Sequence, residues 1–376
     1  MEGIVRIAVL RERGDGETRV SLTPEAVGTL VSDGHEVVVE AGAGDGAGMA
    51  DGDYRSAGAL VESNMGSVVG DAGLVTSIGG PGGLSTIGLL GPGHVVIGLL
   101  DPVWRPEGVT GLAATGATAI SLDLVPRSTR AQAVDVLSSM ATVAGFQAVV
   151  LAATRSYRMF PLLMTAAGTV PPARVLVLGA GVAGLQAVAT ARRLGAIVEG
   201  FDIRSEALEQ IRSLGGRSID PPVGADGGVP DAVRIHEVLA PHVADADVVI
   251  GAAQIPGRQS PLLVTEAMVE TMRPGSVVVD LAVQRGGNCS VSRLDEDVVL
   301  GGVTVLGPSE LATGTAVTAS RMFATNLVNL VRMLDRDGEP FVDPDDEVLA
   351  GMLVVTGGEI VHPVVRDALS RREANA

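Results

Sequence analysis

Lysine is absent from this sequence, so all 27 residues of the Lys/Arg class are arginine. Chemistry that needs a lysine acid, base or Schiff base is therefore excluded. The one cysteine, Cys289, rules out an intramolecular disulfide and suits a reducing compartment. A lone thiol beside Gly-Gly-Asn reads as a small apolar filler rather than a nucleophile. Aromatic residues make up only 2%, too few for a platform on which nucleic-acid bases stack. A net charge of −17 argues further against nucleic acid and anionic membrane surfaces as partners. His94, His236 and His242 are scattered and make no metal-ligand spacing, so no metal is expected. Clean apolar runs are missing too: residues 84–100 and 137–153 are the most apolar, and each is broken by Gly, Pro or Gln147. No clean membrane span is expected. The opening residues enter a strand at once and lack a signal-peptide layout. The expectation is a soluble, cytoplasmic protein without direct membrane insertion.

What is present suits a globular chain: 46% hydrophobic and 19% charged over 376 residues, long enough for two domains with separate cores. The organising stretch is 171–204. Residues 174–178 form a short Val/Leu run that suits a strand buried on both faces. It leads into Gly179-Ala180-Gly181-Val182-Ala-Gly184, after which Leu185, Val188, Ala189 and Leu194 recur at helical spacing and Gly195 supplies a stop. A second apolar run, 196–201, ends in Asp202, 18 residues past the last glycine. A strand, a glycine fingerprint, a helix and a strand-end acid in that order make a dinucleotide-binding unit. Gly179 permits the turn, Gly181 admits a pyrophosphate, and Gly184 allows close helix packing. Amides at the helix start would hold the phosphates. Asp202 would accept from the adenosine ribose hydroxyls and repel an extra phosphate, so NAD(H) is the expected cofactor. Ala180, Val182, Ile203, Arg204 and the later strand end Gly251, Ala252 and Gln254 complete the expected cofactor set.

Around this unit the chain alternates strands and helices. Residues 4–9 read as a strand. Thr23 and Pro24 then mark the N-cap and first position of a helix whose apolar face is Val27, Leu30 and Val31. Strand 35–40 is followed by Gly42-Ala-Gly44-Asp-Gly46, a structural loop because no helix starts inside it. Residues 54–61 read as helix and 74–78, 94–100 and 117–122 as strands. A long helical stretch, 131–160, connects to the second unit, where 247–251, 276–280 and 303–306 are further strands. Residues 319–334 read as a helix with Met322, Phe323, Leu327 and Leu330 on one face, and 351–355 with 359–361 as a hairpin around Gly357-Gly358. The predicted fold class is α/β: two Rossmann-like domains with parallel sheets, joined by a long helix, with a cofactor cleft between them. The expected domains are 1–137 plus 318–376, and 138–317.

Three further stretches carry a family resemblance: Val125-Pro-Arg127-Ser-Thr-Arg-Ala-Gln132-Ala-Val-Asp135-Val-Leu-Ser138, Ile255-Pro-Gly257, and Asp280-Leu-Ala-Val-Gln-Arg-Gly-Gly-Asn288-Cys289. With Met164 to Pro172 ahead of the fingerprint, they closely resemble the NAD(H)-binding component, domain I, of proton-translocating NAD(P) transhydrogenase, within the alanine dehydrogenase/transhydrogenase superfamily. The resemblance implies direct hydride transfer from NADH to NADP⁺, with NADP(H) held on a partner domain III. It also implies a membrane domain that couples the transfer to proton movement, and a homodimer of this chain. It places the protein in the cytoplasm or peripheral to the inner membrane through partner subunits. Arg127, Gln132, Asp135 and Ser138 are implied to surround the nicotinamide and its ribose. Such a transfer needs no proton donor; it needs two rings close, aligned and dry. Arg127 could hold Asp135 or a phosphate; alternatively, Arg127 and Asp135 are a surface ion pair at a helix start.

The resemblance also shows departures. Where alanine dehydrogenases use Lys, His and Asp, this chain has Ser77, Leu99 or Leu100, and Gln284. The acid–base group for an imine or carbonyl is missing. Arg19 matches that enzyme's substrate-carboxylate arginine, with a fold-stabilising role equally open. The family's long mobile lid with a Tyr is replaced by a short, Gly/Pro-rich 219–233. Two other readings stand beside transhydrogenase: a stand-alone NAD-dependent dehydrogenase or reductase of a small oxo- or amino acid, and a non-enzymatic NAD(H)-binding regulatory protein.

Overall fold

The computed structural model describes residues 4–79, 87–223 and 231–374. They fall into two compact units, Met1–Met140 with Thr313–Ala376, and Ala141–Ala312. Both are α/β with largely parallel sheets, as the alternation of elements predicts.

The first unit holds an eight-stranded sheet in the order Glu359–Ile360, Leu353–Thr356, Thr118–Ser121, Val95–Gly98, Leu74–Thr76, Arg6–Val9, Glu36–Glu40, Leu60–Glu62. The six strands from Thr118 to Glu62 in that order run parallel, and the C-terminal hairpin adds an antiparallel edge. Helix Pro24–Ser32 starts as expected: the Thr23 hydroxyl accepts from the Ala26 N–H, and Val27 and Leu30 are buried. Helix Ala316–Leu334 buries Phe323, Leu327, Leu330 and Val331 and packs on helix Pro24–Ser32. The helix expected over 54–61 is shorter and earlier, Asp51–Ser56. Gly58 turns the chain at φ +98°, and Leu60–Glu62 pairs with Val38–Glu40 as an edge strand. A three-residue strand carries too little alternation to register in a sequence.

The second unit holds a seven-stranded sheet ordered Arg217–Ile219, Ile197–Phe201, Arg174–Leu178, Val248–Gly251, Val277–Asp280, Val303–Leu306, Asp297–Leu300. All are parallel except the last. Val248–Gly251 and Val277–Asp280 are buried along their whole length because helices cover both faces. Leu239, Val243, Met268 and Val269 pack on one face. Ala148, Val149, Ala152, Ala187 and Val188 pack on the other. The first three of these come from helix Val136–Arg155, which begins in the first unit and ends in the second. Among the described residues, this helix is long and apolar enough to cross a membrane by length and composition, where the broken run 137–153 predicts no clean span. Its core-facing residues account for part of that composition. The exposed hairpin Leu163–Thr165 with Gly168–Val170 has no counterpart among the sequence-based expectations. Its strands have almost no buried face, so they leave no pattern to detect.

Candidate functional site

In the second unit, strand Arg174–Leu178 lies between Ile197–Phe201 and Val248–Gly251. This is where strand order reverses, and loops at the carboxyl ends open a crevice at such a point. Two fingerprint glycines are required by contact. Gly179 has φ +90°, and a Cβ there would lie 2.6 Å from the Ala253 backbone. A Cβ on Gly184 would lie 1.8 Å from the Gly179 carbonyl oxygen. Gly181 differs: a Cβ there would meet nothing within 4 Å. Gly181 is the N-cap of helix Val182–Arg193, and no side chain caps that end. The first-turn N–H groups of this 12-residue helix therefore have no side-chain cap, and the Gly181 position beside them is open, a fit for phosphate oxygens. Val182 stands exposed there. Ala180 is buried, and its N–H donates to Asp202 at 2.8 Å, so that amide serves the turn.

Asp202 ends strand Ile197–Phe201 and is 7% exposed. Its Oδ1 accepts from the Arg204 N–H at 3.0 Å and from Arg204 Nε at 2.9 Å. Its Oδ2 accepts from Ala180 N–H at 2.8 Å and Arg204 Nη2 at 2.9 Å. Burial pushes the carboxyl pKa up, but the Arg204 side chain and the two amides outweigh it and hold Asp202 below the usual carboxylate range. These four donors fill the carboxylate's lone-pair sites. A ribose diol can bond to Asp202 only where the half-exposed Arg204 side chain moves aside. Ile203, between them, is exposed.

At the neighbouring strand end, Gly251 is buried, and the Ala252 N–H donates to the Leu178 carbonyl at 2.7 Å. Gln254 is exposed and donates through Nε2 to the Leu281 carbonyl at 2.8 Å. The fingerprint turn and residues 251–254 thus form adjacent walls. Of the short 219–233 segment, residues 224–230 lie outside the described residues.

The first unit holds the loop with Arg127, Gln132, Asp135 and Ser138. Asp135 caps helix Val136–Arg155: Oδ1 accepts from the Ser138 N–H at 2.9 Å and Oδ2 from the Ser138 hydroxyl at 2.6 Å. Arg127 and Gln132 are exposed, and neither side chain has a hydrogen-bond or ion-pair partner among the described residues. The suggested Arg127–Asp135 pairing is therefore not formed, because the helix start supplies Asp135 with nearer donors. The loop backbone is tethered instead. The Ala133 carbonyl accepts from Asn326 Nδ2 at 2.9 Å and Asn329 Nδ2 at 3.0 Å. Ser139 donates to Asn326 Oδ1 at 2.6 Å, and Arg130 pairs with Asp346. A loop held by its backbone, with two polar side chains left unengaged, is built to present them.

Other singled-out residues have structural partners. Arg19 is 4% exposed and bidentate to Glu17, which favours its fold-stabilising role. Gln284 donates to the Ser309 carbonyl at 3.0 Å. Asp280 and Asn288, a buried polar pair, carry no site expectation from the sequence beyond the family resemblance. No sequence pattern distinguishes a polar side chain that turns inward.

The profile of the alanine dehydrogenase/PNT N-terminal domain matches residues 8–144, and that of the alanine dehydrogenase/PNT C-terminal domain matches 148–363. The chain is 40% identical to the first of the alpha-subunit chains of NAD(P) transhydrogenase from Rhodospirillum rubrum, over 96% of this chain and 99% of that one. The solved transhydrogenase from Sinorhizobium meliloti superposes with a TM-score of 0.85 at 40% identity, covering 95% of this chain and 99% of that one. A solved L-alanine dehydrogenase superposes with a TM-score of 0.84 at 30% identity, covering 98% and 99%.

Proposed function

This chain belongs to the alanine dehydrogenase/PNT family, and from that premise we propose that it is the NAD(H)-binding subunit of an NAD(P) transhydrogenase. It binds NAD(H) in its second unit, with the diphosphate on the uncapped start of helix Val182–Arg193 and the adenosine ribose at Asp202 and its neighbours Ile203 and Arg204. Residues Gly251, Ala252 and Gln254 line the neighbouring wall. Bound NADH supplies the hydride. The chain's residues bind and orient it: Arg127 and Gln132 engage the nicotinamide end, while Asp135 and Ser138 act as a preformed pair that can turn one acceptor and one hydroxyl toward it.

The observation that carries this reading is the uncapped fingerprint helix joined to a strand-end aspartate, in a chain with no proton-transfer group where alanine dehydrogenases keep theirs. Ser77 is buried, Gln284 is held by Ser309, and Leu99 and Leu100 are apolar. None can deliver a proton to a carbonyl or imine at neutral pH. Identity supports the same choice, being higher to the transhydrogenase relatives than to L-alanine dehydrogenase.

The partners are an NADP(H)-binding chain and a membrane domain, with hydride passing directly between nicotinamides and proton movement coupled through the membrane partner. A homodimer is supported by exposed apolar side chains close in sequence: Phe146, Tyr157, Met159, Leu162 and Met164. The test is exchange between NADH and an NADP⁺ analogue with shifted absorbance, with and without a purified NADP(H)-binding component. Exchange that requires that component and falls sharply in Gln132→Asn is the expected result. NADH binding without exchange would overturn the transhydrogenase assignment in favour of a dehydrogenase.

A further inference from the structure

Beneath the cofactor turn lies a buried polar network that the proposed function leaves unused. Asp280, at the end of strand Val277–Asp280, is fully buried and Asn288 is 1% exposed. Asp280 gathers the following loop: Oδ1 accepts from Ala282 N–H at 2.9 Å, and Oδ2 from Asn288 N–H at 2.8 Å, Cys289 N–H at 3.0 Å and the Ser292 hydroxyl at 2.7 Å. Asn288 is thereby fixed at its backbone. Its own carbonyl accepts from the Leu263 and Val264 N–H groups, both at 2.9 Å.

The Asn288 side chain then reaches the opposite way. Its Oδ1 accepts from the Ala253 N–H at 2.9 Å, and its Nδ2 donates to the Ala253 carbonyl at 2.8 Å and the Pro261 carbonyl at 2.8 Å. Both polar groups of Ala253 are bound by one amide, as a neighbouring strand would bind them. Ala253 is also the residue against which Gly179 packs, at 2.6 Å from a Cβ position. A rigid path therefore runs from Asp280 through Asn288 and Ala253 to the first glycine of the nucleotide turn. Only a side chain with one acceptor and two donors satisfies this site, which limits it to an amide. A buried network so completed is stiff, and losing one member leaves several groups unpaired.

We propose that Asn288 is a positioning residue for the dinucleotide, holding residues 252–254 against the Gly179 turn so that the cofactor wall is formed before NADH arrives. This rests on the nucleotide reading of the Gly179–Gly184 turn. The experiment titrates NADH by fluorescence into the full chain carrying Asn288→Ala, Asn288→Asp or Leu239→Ala, and records each melting temperature without cofactor. Leu239 is fully buried in the same unit, on helix Ala232–Asp245, and controls for destabilisation alone. Asn288→Ala should weaken NADH by tenfold or more, whereas Leu239→Ala should bind within twofold of wild type. Asn288→Asp should gain a pH dependence that wild type lacks. It should bind better at low pH, where the protonated acid replaces one of the two donors, than at pH 8, where a carboxylate faces two carbonyls, and it should stay below wild type at both. That profile also decides the matter if Asn288→Ala fails to fold. NADH affinity unchanged in Asn288→Ala, equal losses in Leu239→Ala, or a flat profile for Asn288→Asp would overturn the inference. A wild-type chain that does not bind NADH would overturn the nucleotide reading itself, and this inference with it.

Discussion

Gly145 offers a demanding test of how the second unit holds helix Val182–Arg193. It lies buried within helix Val136–Arg155. A Cβ placed there would come 2.1 Å from the Ala183 carbonyl oxygen, 2.9 Å from its carbon and 3.0 Å from its Cα. Ala183 is in the first turn of helix Val182–Arg193, whose amides are the ones proposed to hold the cofactor phosphates. The obstacle is backbone on both sides, so no rotamer change relieves it. Restoring ordinary contact distances in Gly145→Ala requires the two helices to part by about 1 Å. In an exposed helix the same change would stabilise by about 1 kcal/mol through helix propensity. Here overpacking should reverse the sign and cost about 3 kcal/mol, near the upper end for inserted methyl groups. For a unit of this size that corresponds to a melting temperature lower by about 6–12 °C. Displacing the amide cradle by about 1 Å should also weaken NADH about tenfold. Differential scanning calorimetry and a fluorescence titration measure both effects. A variant that melts at or above the wild-type temperature and binds NADH equally would refute the close-contact reasoning.

Two further outcomes are expected. Glu12, half-buried, accepts from the Ile78 and Gly79 N–H groups, and burial raises its pKa from 4.5 to about 7 against the pull of those amides. A carboxyl raised on folding contributes most stability below its unfolded value and loses it as pH rises through the folded value. Between pH 4.5 and about 7 wild type should therefore lose about 3 kcal/mol that Glu12→Gln does not lose, and parallel pH profiles of melting temperature would contradict this. Arg204 partly neutralises Asp202, so Arg204→Gln should increase the preference for NADH over NADPH by about fivefold, the effect of roughly 1 kcal/mol from a half-exposed charge. A preference that narrows, measured by paired titrations, would mean that the Arg204 charge does not offset Asp202 toward the extra phosphate.

Much of this protein could be read without coordinates because its signals are local. A strand, a glycine turn, a helix and a strand-end acid succeed one another within 171–204, and each is dictated by its own residues: Val and Leu for a strand buried on both faces, glycine where a Cβ collides, and Asp202 where the next strand stops. The same holds for the Thr23–Pro24 helix start and the Gly357-Gly358 hairpin. The loop carrying Arg127 and Gln132 was legible only through resemblance, since neither side chain has a hydrogen-bond or ion-pair partner among the described residues that a pattern could encode. Tertiary structure decided what depends on residues far apart in sequence. It brought Gly145 against Ala183, and it settled which donors Asp135 and Asp202 take at short range, Ser138 and Arg204, which spacing alone leaves open. It also turned Asn288 inward to grip Ala253, 35 residues away. Propensity and periodicity report a residue's neighbours along the chain. They are silent on which buried polar group meets which backbone across the sheet, and that meeting gives the candidate site its shape.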